Sequence, residues 1–316
     1  EERDLSGMKD YFQVETQPTF GFSPDGEFPL IYGEKGNATY VTTFGHTNGS
    51  EFTLKRFDSG LRLNMVPGSA DALVEVGDNE KFVDGFTEFL DQNPIAGDVK
   101  STGQGVALHI TGKAAHAMEP KNGVNAGTYL AKFLNDYPFD GAAKEFISYL
   151  AEDLHDDSRA TKIGAAHVDD IMGELTMNVG IMKFDTQHGG SVNTNFRYPK
   201  GTDDQEILAH LQQAADKRHG TVKEINNMDT HYVDPSDPIV STLMHVYQEQ
   251  TGDMDSKPEV VGGGTYARLM KRGVAFGALF PNAQDTMHQA NEFQPVANLI
   301  KAMAIYGQSI YELTAK

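Results

Sequence analysis

The chain is organised around Asp285-Thr286-Met287-His288-Gln289-Ala290-Asn291-Glu292, a polar stretch near its end. It follows an apolar run, Val274 to Phe280, whose length and composition predict a buried strand. It precedes Pro295 to Leu313, whose amphipathic spacing predicts a helix. Open α/β sheets bind their ligands in loops that leave the carboxyl ends of strands. His288 is therefore a candidate for chemistry, although a lone histidine is more often a satisfied structural residue.

Composition excludes several classes of function. The chain has 316 residues, enough for two domains, and its 39% of hydrophobic residues suffice for a sizeable core. A net charge of −19 without a basic stripe argues against nucleic acid and anionic membranes as partners. No apolar run approaches the length of a membrane span. The chain has no Cys, which excludes disulfides and thiolate metal ligands and is typical of the reducing cytoplasm, where we expect the protein.

Acidic residues near the start of the chain are further candidates. Glu1 and Glu2 are adjacent carboxylates, and Asp25 lies in the turn Ser23-Pro24-Asp25-Gly26. Taken alone, such a pair is usually solvated, and such an aspartate usually forms the turn. The chain begins at Glu1 rather than Met, so we expect a processed or truncated polypeptide that lacks upstream sequence.

The middle of the chain is predicted to contain two similar α/β units in tandem. Each unit has a strand that ends near a proline (Pro67, Pro199), then an acid (Asp71, Asp203), a helix and a return strand. The hydrophobic patterns predict strands at 38–44, 51–57, 61–65, 105–111, 174–184, 190–198 and 221–226, and helices at 79–92, 124–136, 142–154 and 203–218.

The pattern of hydrophobic and polar residues changes after His231. Residues 238–250 form a predicted helix with Ser236 as its cap, and residues 258–261 form a short buried strand. Gly262-Gly263-Gly264-Thr265 then turns into a predicted helix at 266–271. Such a turn exposes backbone N–H groups that suit a carboxylate, and a plain tight turn fits three glycines equally well.

The two ends of the chain are therefore expected to form one α/β domain, residues 1–34 and 231–316, with residues 35–230 inserted between them. This arrangement allows Glu1, Glu2 and Asp25 to approach His288 in space.

With these pieces in place, the whole chain resembles the two-zinc peptidases that include carboxypeptidase G, aminoacylase and peptidase T. Within that family it is most similar to the carnosinase-like bacterial dipeptidases. Each motif is weak alone, and their order and spacing carry the resemblance. They are Glu1-Glu2, Ser23-Pro24-Asp25, Leu63 to Gly68, Gly112 to Pro120, Asn195-Phe196-Arg197, Gly262 to Thr265, and Met287 to Glu292.

The resemblance implies a fold and a metal centre. It implies a zinc-peptidase catalytic domain, here partial and truncated at its N-terminus, with an inserted α+β lid domain of two tandem units. Glu1 matches the general base that takes a proton from the metal-bridging water. Glu2 and His288 match ligands of one zinc, and Asp25 matches a ligand of the other. Oxygen and imidazole ligands suit zinc, with manganese or cobalt as substitutes.

The resemblance also implies residues that bind a dipeptide from the lid. His116 matches a lid histidine that reaches the scissile carbonyl oxygen. Asn64 and Arg197 match groups that hold the substrate, with Arg197 on its terminal carboxylate. Gly263 and Gly264 match backbone donors to that carboxylate. A relative with a single lid unit pairs two subunits through it, so a tandem pair predicts a monomer.

The sequence departs from the family pattern upstream. The His-x-Asp motif with the first zinc ligand, and the aspartate that bridges the metals, would both precede Glu1. We therefore expect either a fragment of a longer enzyme or a missing segment supplied as a separate chain, and zinc binding that is weak in the fragment.

Two alternatives to a dipeptidase stay open. A deacylase of N-acyl amino acids would share the metal centre but would not need a negative feature for a free amine. An inactive, metal-free peptide-binding fragment would follow if the upstream half were absent from the gene. The remaining nine histidines are expected to be surface or packing residues; they are His46, His109, His155, His167, His188, His210, His219, His231 and His245.

Overall fold

The chain is divided into two compact units in the computed structural model, which describes residues 5–46, 52–287 and 291–315. The first unit consists of Glu1–Lys35 and Thr230–Lys316, and the second of Gly36–Asp229. Each unit has its own hydrophobic core. Within the described ranges, no helix has both the length and the apolar character needed to cross a membrane.

The helices and strands of the described residues, in chain order, are as follows. The helices are α1 Ser6–Val14, α2 Asn79–Gln92, α3 Ala126–Asn135, α4 Gly141–Ser148, α5 Asp204–Asp216, α6 Pro238–Thr251 and α7 Val296–Thr314, with short 3₁₀ turns at Pro120–Asn122 and Tyr266–Leu269 and a π-helical turn at Tyr149–Leu154. The strands are β1 Gly21–Ser23, β2 Gly26–Glu27, β3 Ile31–Glu34, β4 Gly36–Phe44, β5 Thr53–Ser59, β6 Met65–Val66, β7 Ser69–Glu75, β8 Ala96–Thr102, β9 Gly105–Thr111, β10 Ala115–His116, β11 Val168–Asp169, β12 Gly173–Glu174, β13 Thr176–Asp185, β14 Gly189–Tyr198, β15 Thr221–Met228, β16 His231–Tyr232, β17 Glu259–Val261, β18 Gly273–Ala275 and β19 Ala278–Leu279.

The second unit is built on one eight-stranded antiparallel sheet with the order β15-β4-β14-β13-β5-β7-β9-β8. Alternate residues of its strands face opposite sides of the sheet. On one side, apolar residues such as Phe57, Phe184 and Phe196 pack with α2, α3, α4 and α5 into a single core. A sheet with helices that belong to its own core is an α+β arrangement.

The eight strands fall into two sets of four that meet where β5 pairs with β13. At this junction Phe57 lies opposite Phe184. In one set α2 follows β7 and leads to the edge strand β8; in the other, α5 follows β14 and leads to the edge strand β15. Both sets therefore use a helix to connect an inner strand to an outer one.

The structure corrects the details of the predicted repeat. Asp203 does precede a helix, since its side chain accepts a hydrogen bond from Glu206 N at the start of α5. Asp71 does not, because it lies within β7, a strand whose successive residues alternate between the core and the opposite side. The strand predicted at 61–65 is a turn followed by the two-residue β6.

The first unit contains a five-stranded sheet in which β18 lies between β1 and β3, and β3 also pairs with β16 and β17. Pairings β1–β18 and β2–β19 are parallel. Its core is aromatic: the Phe28 ring lies 5.1 Å from Phe276 and 5.4 Å from Tyr247, measured between ring centroids. Helices α6 and α7 complete this core.

Three predictions in the first unit are corrected. The run 274–280 is not one strand, because Gly277 interrupts it with a φ of +76°, and a Cβ there would lie 2.3 Å from Phe28 Cζ. The helix predicted at 266–271 is the shorter 3₁₀ turn Tyr266–Leu269. Asp237, not Ser236, caps α6: its Oδ1 accepts from Ile239 N at 3.0 Å, and Arg272 binds the same carboxylate.

Helix α7 has an unusual surface. It buries Ala302, Ile305 and Ser309. Its other side carries large apolar side chains that are exposed among the described residues, namely Val296, Leu299, Ile300, Met303, Ile310 and Tyr311. A contiguous apolar helix face of this kind is typical of a contact surface.

Candidate functional site

Asp25 is the one predicted metal ligand that the described residues include. It is exposed, in the bend between β1 and β2. The loop that leads towards His288 begins after β19, which pairs in parallel with β2, as β18 does with β1. Asp25 follows the carboxyl end of β1 and the later loop follows the carboxyl end of β19, the ends where α/β proteins bind ligands, and these two strands belong to different sheets.

The other residues of the predicted metal centre lie outside the described part of the chain. These are Glu1, Glu2 and His288. Within residues 5–46, 52–287 and 291–315, no group of three His, Cys, Asp or Glu side chains is arranged to hold a metal ion. The convergence of Glu2, Asp25 and His288 on one centre stays a prediction.

The glycine-rich turn at 262–264 is anchored by a buried carboxylate. Glu34, at the end of β3, is only 1% exposed. It accepts hydrogen bonds from Thr265 N at 3.1 Å and from Thr265 Oγ1 at 2.6 Å. Burial raises the pKa of the Glu34 carboxyl above its usual range, while Arg268 and the bonds from Thr265 act in the opposite direction. Glu34 therefore fixes the end of the turn that contains the predicted carboxylate donors.

Gly264 leaves room for Arg268, which lies beside this anchor. A Cβ on Gly264 would lie 2.1 Å from Arg268 Nη1, so a larger residue would displace the guanidinium. Arg268 Nε lies 3.7 Å from Glu34, and its Nη2 donates to Lys35 O at 3.1 Å. The role of Gly263 and Gly264 as donors to a substrate stays a prediction.

In the second unit, the predicted substrate residue Arg197 belongs to a buried polar strip on the sheet. We define the polar strip as Thr176 and Asn178 of β13 with Asn195 and Arg197 of β14. Thr176 pairs with Arg197 across the two strands, and Asn178 with Asn195. Since these residues alternate with core residues such as Phe196, all four lie on the side of the sheet opposite the core.

Arg197 is held by its strand neighbour. Its Nε donates to Asn195 Oδ1 at 3.2 Å, and the side chain of Asn195 donates in turn to Asn37 Oδ1 and Thr39 Oγ1 on β4. Arg197 is 7% exposed. A guanidinium in so buried a place needs anionic or polar partners, because desolvating an unpaired charge is costly.

His116 ends β10, which pairs with β6 so that His116 lies opposite Met65. Its side chain is exposed, and its Nδ1 accepts a hydrogen bond from Met118 N at 3.2 Å. A backbone N–H can only donate, so a neutral His116 carries its proton on Nε2. The imidazole thus holds the turn before Pro120, and in this tautomer its Nε2 carries a donor hydrogen.

Asn64 lies in the turn that precedes β6, and its side chain is exposed. Its carbonyl oxygen accepts a hydrogen bond from Ala117 N at 3.0 Å. The neighbouring carbonyls of Leu63 and Met65 accept from Asn178 Nδ2. The structure therefore links the segments that carry Asn64 and His116 to each other and to the polar strip.

Sequence reasoning missed two groups that hold these segments. Arg159 binds Glu119 through Nη2 at 2.9 and 3.0 Å and Glu174 through Nε at 2.8 Å, and so anchors the turn after His116. Asn178 was the other omission. The only signal for it was a polar residue within an otherwise apolar strand, Thr176-Met177-Asn178-Val179, and local sequence does not show what such a residue contacts.

Several of the remaining histidines have structural contacts. His155 is buried and its Nδ1 lies 3.1 Å from Thr128 Oγ1. His109 Nδ1 lies 2.8 Å from Asp71, and His231 Nε2 lies 2.7 Å from Gly273 O.

Comparison with known proteins gives a consistent picture. Residues 1–312 match the model of peptidase family M20/M25/M40. A putative dipeptidase of Staphylococcus haemolyticus is 40% identical over 319 residues, which are 99% of this chain and 68% of that protein. A putative dipeptidase of Staphylococcus saprophyticus is 38% identical over 318 residues, which again are 99% of this chain and 68% of that protein.

Among solved structures, an M20 family metallo-carboxypeptidase of Sulfolobus solfataricus matches with a TM-score of 0.45 and 14% identity. The match covers 96% of this chain and 64% of the solved chain. The chain thus spans about two thirds of the length of these relatives.

Proposed function

Because this chain belongs to peptidase family M20/M25/M40, we propose that it hydrolyses dipeptides with a free N-terminus in a metal-dependent reaction. The observation that carries the proposal is the family match over residues 1–312. Relatives at 38–40% identity that are described as putative dipeptidases support the substrate class. The carnosinase-like bacterial dipeptidases are the branch that we propose.

The residue types suit a metal centre. Glu2 and His288 would bind one zinc ion and Asp25 the other. The fit rests on chemistry, since carboxylates and imidazole are ordinary zinc ligands, and on the exposure of Asp25 at the end of a strand. When bound, two ions lower the pKa of water and polarise the scissile carbonyl.

The protein's own groups would perform the proton transfers and hold the substrate. Glu1 takes a proton from the attacking water, as a carboxylate close to the reacting atoms can. His116 donates from Nε2 to the scissile carbonyl oxygen as negative charge develops there, and its bond from Met118 N supports that tautomer. Asn64 also contacts the substrate.

Recognition of the substrate's C-terminus falls to Arg197 and to the backbone of Gly263 and Gly264. A planar guanidinium forms paired hydrogen bonds to a carboxylate, which a Lys does not. The position of Arg197 supports this role, because a guanidinium already held on β14 by Asn195 loses little side-chain entropy when a carboxylate binds. In this proposal residues 35–230 act as the lid and residues 1–34 with 231–316 as the catalytic domain. A cytoplasmic location stays a prediction from the absence of Cys.

The test uses the full-length protein and a panel of dipeptides, with N-acetyl amino acids as the comparison for deacylase activity. We expect hydrolysis of dipeptides that stops when a chelator removes the metal and returns when zinc, manganese or cobalt is added. His116→Ala should lower kcat by ~100-fold or more with the bound metal unchanged, because it removes a donor to the developing oxyanion.

His245→Ala is the control for the His116 substitution, since it removes an exposed histidine from α6. It should leave kcat and metal content at their normal values. Hydrolysis that persists without metal would overturn the proposal, and so would a preference for N-acetyl amino acids over dipeptides.

A further inference from the structure

A single buried amide supports the turn that carries Asn64. Asn178 Nδ2 donates to Leu63 O at 2.9 Å and to Met65 O at 3.0 Å, the two carbonyls that flank Asn64. Asn178 lies on β13 and is 1% exposed. The turn is therefore tied to the rigid centre of the eight-stranded sheet through one side chain.

The orientation of this amide is determined by its partners. Both hydrogens of Nδ2 are used, while Oδ1 is buried without a hydrogen-bond partner among the described residues. Reversing the amide would place Oδ1 against two carbonyl oxygens, which are also acceptors. The two donor bonds therefore decide the orientation, and the side chain at this position serves as a double donor although Oδ1 remains unpaired among the described residues.

Further backbone hydrogen bonds connect the Asn64 turn to the segment that carries His116. Asn64 O accepts from Ala117 N at 3.0 Å, and β6 pairs with β10 so that Met65 lies opposite His116. Thr176 Oγ1 lies 3.5 Å from Ala117 O, which adds a weaker link from β13. Moving the Asn64 turn would therefore move the backbone that carries the imidazole.

We propose that Asn178 is a positioning residue that sets the location of Asn64 and His116 relative to each other. This inference rests on the proposed function for its catalytic consequence. Asn178 acts through Asn64 and His116 and does not itself touch the substrate. Small displacements of catalytic groups are costly: a shift of about 1 Å lowers rates by ~100-fold in well-ordered sites.

The first measurement does not depend on activity. Amide hydrogen exchange would be followed at Ala117 in the full-length protein and in Asn178→Ala. We expect exchange at Ala117 to become at least ~10-fold faster while the amides of β14 keep their protection, because only the segment tied down by Asn178 is loosened. Unchanged protection at Ala117 would overturn the proposal.

The second measurement is kinetic. Asn178→Ala should lower kcat for dipeptides by ~10–100-fold with metal content unchanged. In the His116→Ala background the same substitution should change kcat by less than ~3-fold, because groups that act as one unit are not additive. Full additivity of the two substitutions, or normal kcat in Asn178→Ala, would overturn the proposal.

Thr194→Val is the matched control. Thr194 is also buried on a central strand, and its hydroxyl has no hydrogen-bond partner among the described residues, but it lies on the core side of the sheet. It should change neither the exchange at Ala117 nor kcat. Asn178→Ser, which retains one donor, provides a milder variant if Asn178→Ala does not fold.

The two measurements separate the inference from the proposed function. If the wild-type protein does not hydrolyse dipeptides, the proposed function fails, while exchange at Ala117 still decides whether Asn178 positions the turn. If dipeptides are hydrolysed and Asn178→Ala loosens the turn without lowering kcat, the proposed function stands and the positioning role is overturned.

Discussion

Arg197 is the residue that the sequence predicts to bind the terminal carboxylate of the substrate. The motif Asn195-Phe196-Arg197 resembles a carboxylate-binding segment, whereas the structure shows how the guanidinium is held, through Nε to Asn195 Oδ1 at 3.2 Å. A buried strand position restricts the side chain before substrate arrives. Such preorganisation strengthens binding because less side-chain entropy is lost when the substrate binds.

We expect Arg197→Ala to raise KM for dipeptides with little change in kcat. The loss of about 1.5–3 kcal/mol of charge-assisted hydrogen bonding corresponds to ~10–150-fold in KM. A C-terminally amidated dipeptide, measured in parallel, should be affected much less, because it lacks the carboxylate. Equal losses for the acid and the amide would contradict the assignment.

His155 makes the folded protein sensitive to acid. Burial, aided by Lys132, lowers the pKa of the His155 imidazole to about 4, against an ordinary value near 6.5. The unfolded chain thus takes up a proton between pH 6.5 and 4 that the folded protein does not. Stability falls as pH decreases through that window and falls no further from this source below it.

Between pH 7 and pH 5 this histidine should remove about 2 kcal/mol from the free energy of unfolding. Urea unfolding at both pH values would measure the difference. In His155→Phe the decrease in the free energy of unfolding between these pH values should be smaller by about 2 kcal/mol, since no imidazole is left to titrate at this position. His245→Gln, which removes an exposed histidine of α6, should keep the wild-type decrease. An unchanged pH dependence in His155→Phe would disprove this role.

Among the elements, α2 and β9 were predicted with the bounds that the structure has, because strong local periodicity determined them. Helix α2 places Phe82 and Phe86 one turn apart on the core face, with Asp78 as its cap. Strand β9 alternates buried and less buried residues throughout. Strand β8 was missed because it is an edge strand with almost all of its residues exposed, so it lacks an alternating pattern.

The junction between the two four-stranded sets depends on Phe146 of α4. Its ring lies 5.3 Å from Phe57 and 5.4 Å from Phe184, measured between centroids, and those two residues face each other across β5 and β13. Phe146→Ala should lower the free energy of unfolding by about 3–5 kcal/mol, through lost burial and a cavity.

Denaturant unfolding of the full-length protein would measure this loss, with Phe146→Leu expected to be milder. Leu61→Ala is the control in the same unit, since Leu61 is 96% exposed and its loss should stay within about 0.5 kcal/mol. A cost below about 1 kcal/mol for Phe146→Ala would show that the junction does not depend on this ring.

At the scale of the whole molecule, we propose that the protein is a monomer. The two four-stranded sets pair with each other inside one chain, so the β5–β13 contact occupies the strands through which such sets would otherwise associate. The outer strand β8 carries Asp98 and Lys100, charges that discourage edge-to-edge pairing. A net charge of −19 adds general repulsion between copies.

Light scattering on the full-length protein at micromolar concentration should give the mass of one chain. The apolar face of α7 offers a different route to association, which Ile300→Glu with Met303→Glu would remove. A stable dimer that persists in this double variant would contradict the internal pairing as the basis of the monomer.

The local signals of this sequence determined its long helices, its central strands and the family to which it belongs. They succeeded because a periodic pattern of apolar residues and a short motif can both be recognised from residues that are close together in the sequence. Only tertiary structure decided that β5 joins β13, that Asp237 rather than Ser236 caps α6, and that Glu34 anchors the glycine-rich turn. It also decided that Asn178 supports Asn64, although 114 positions separate them in the chain. The physical reason is that a hydrogen bond between distant segments depends on how the strands pair, and strand pairing is a property of the folded sheet rather than of local sequence.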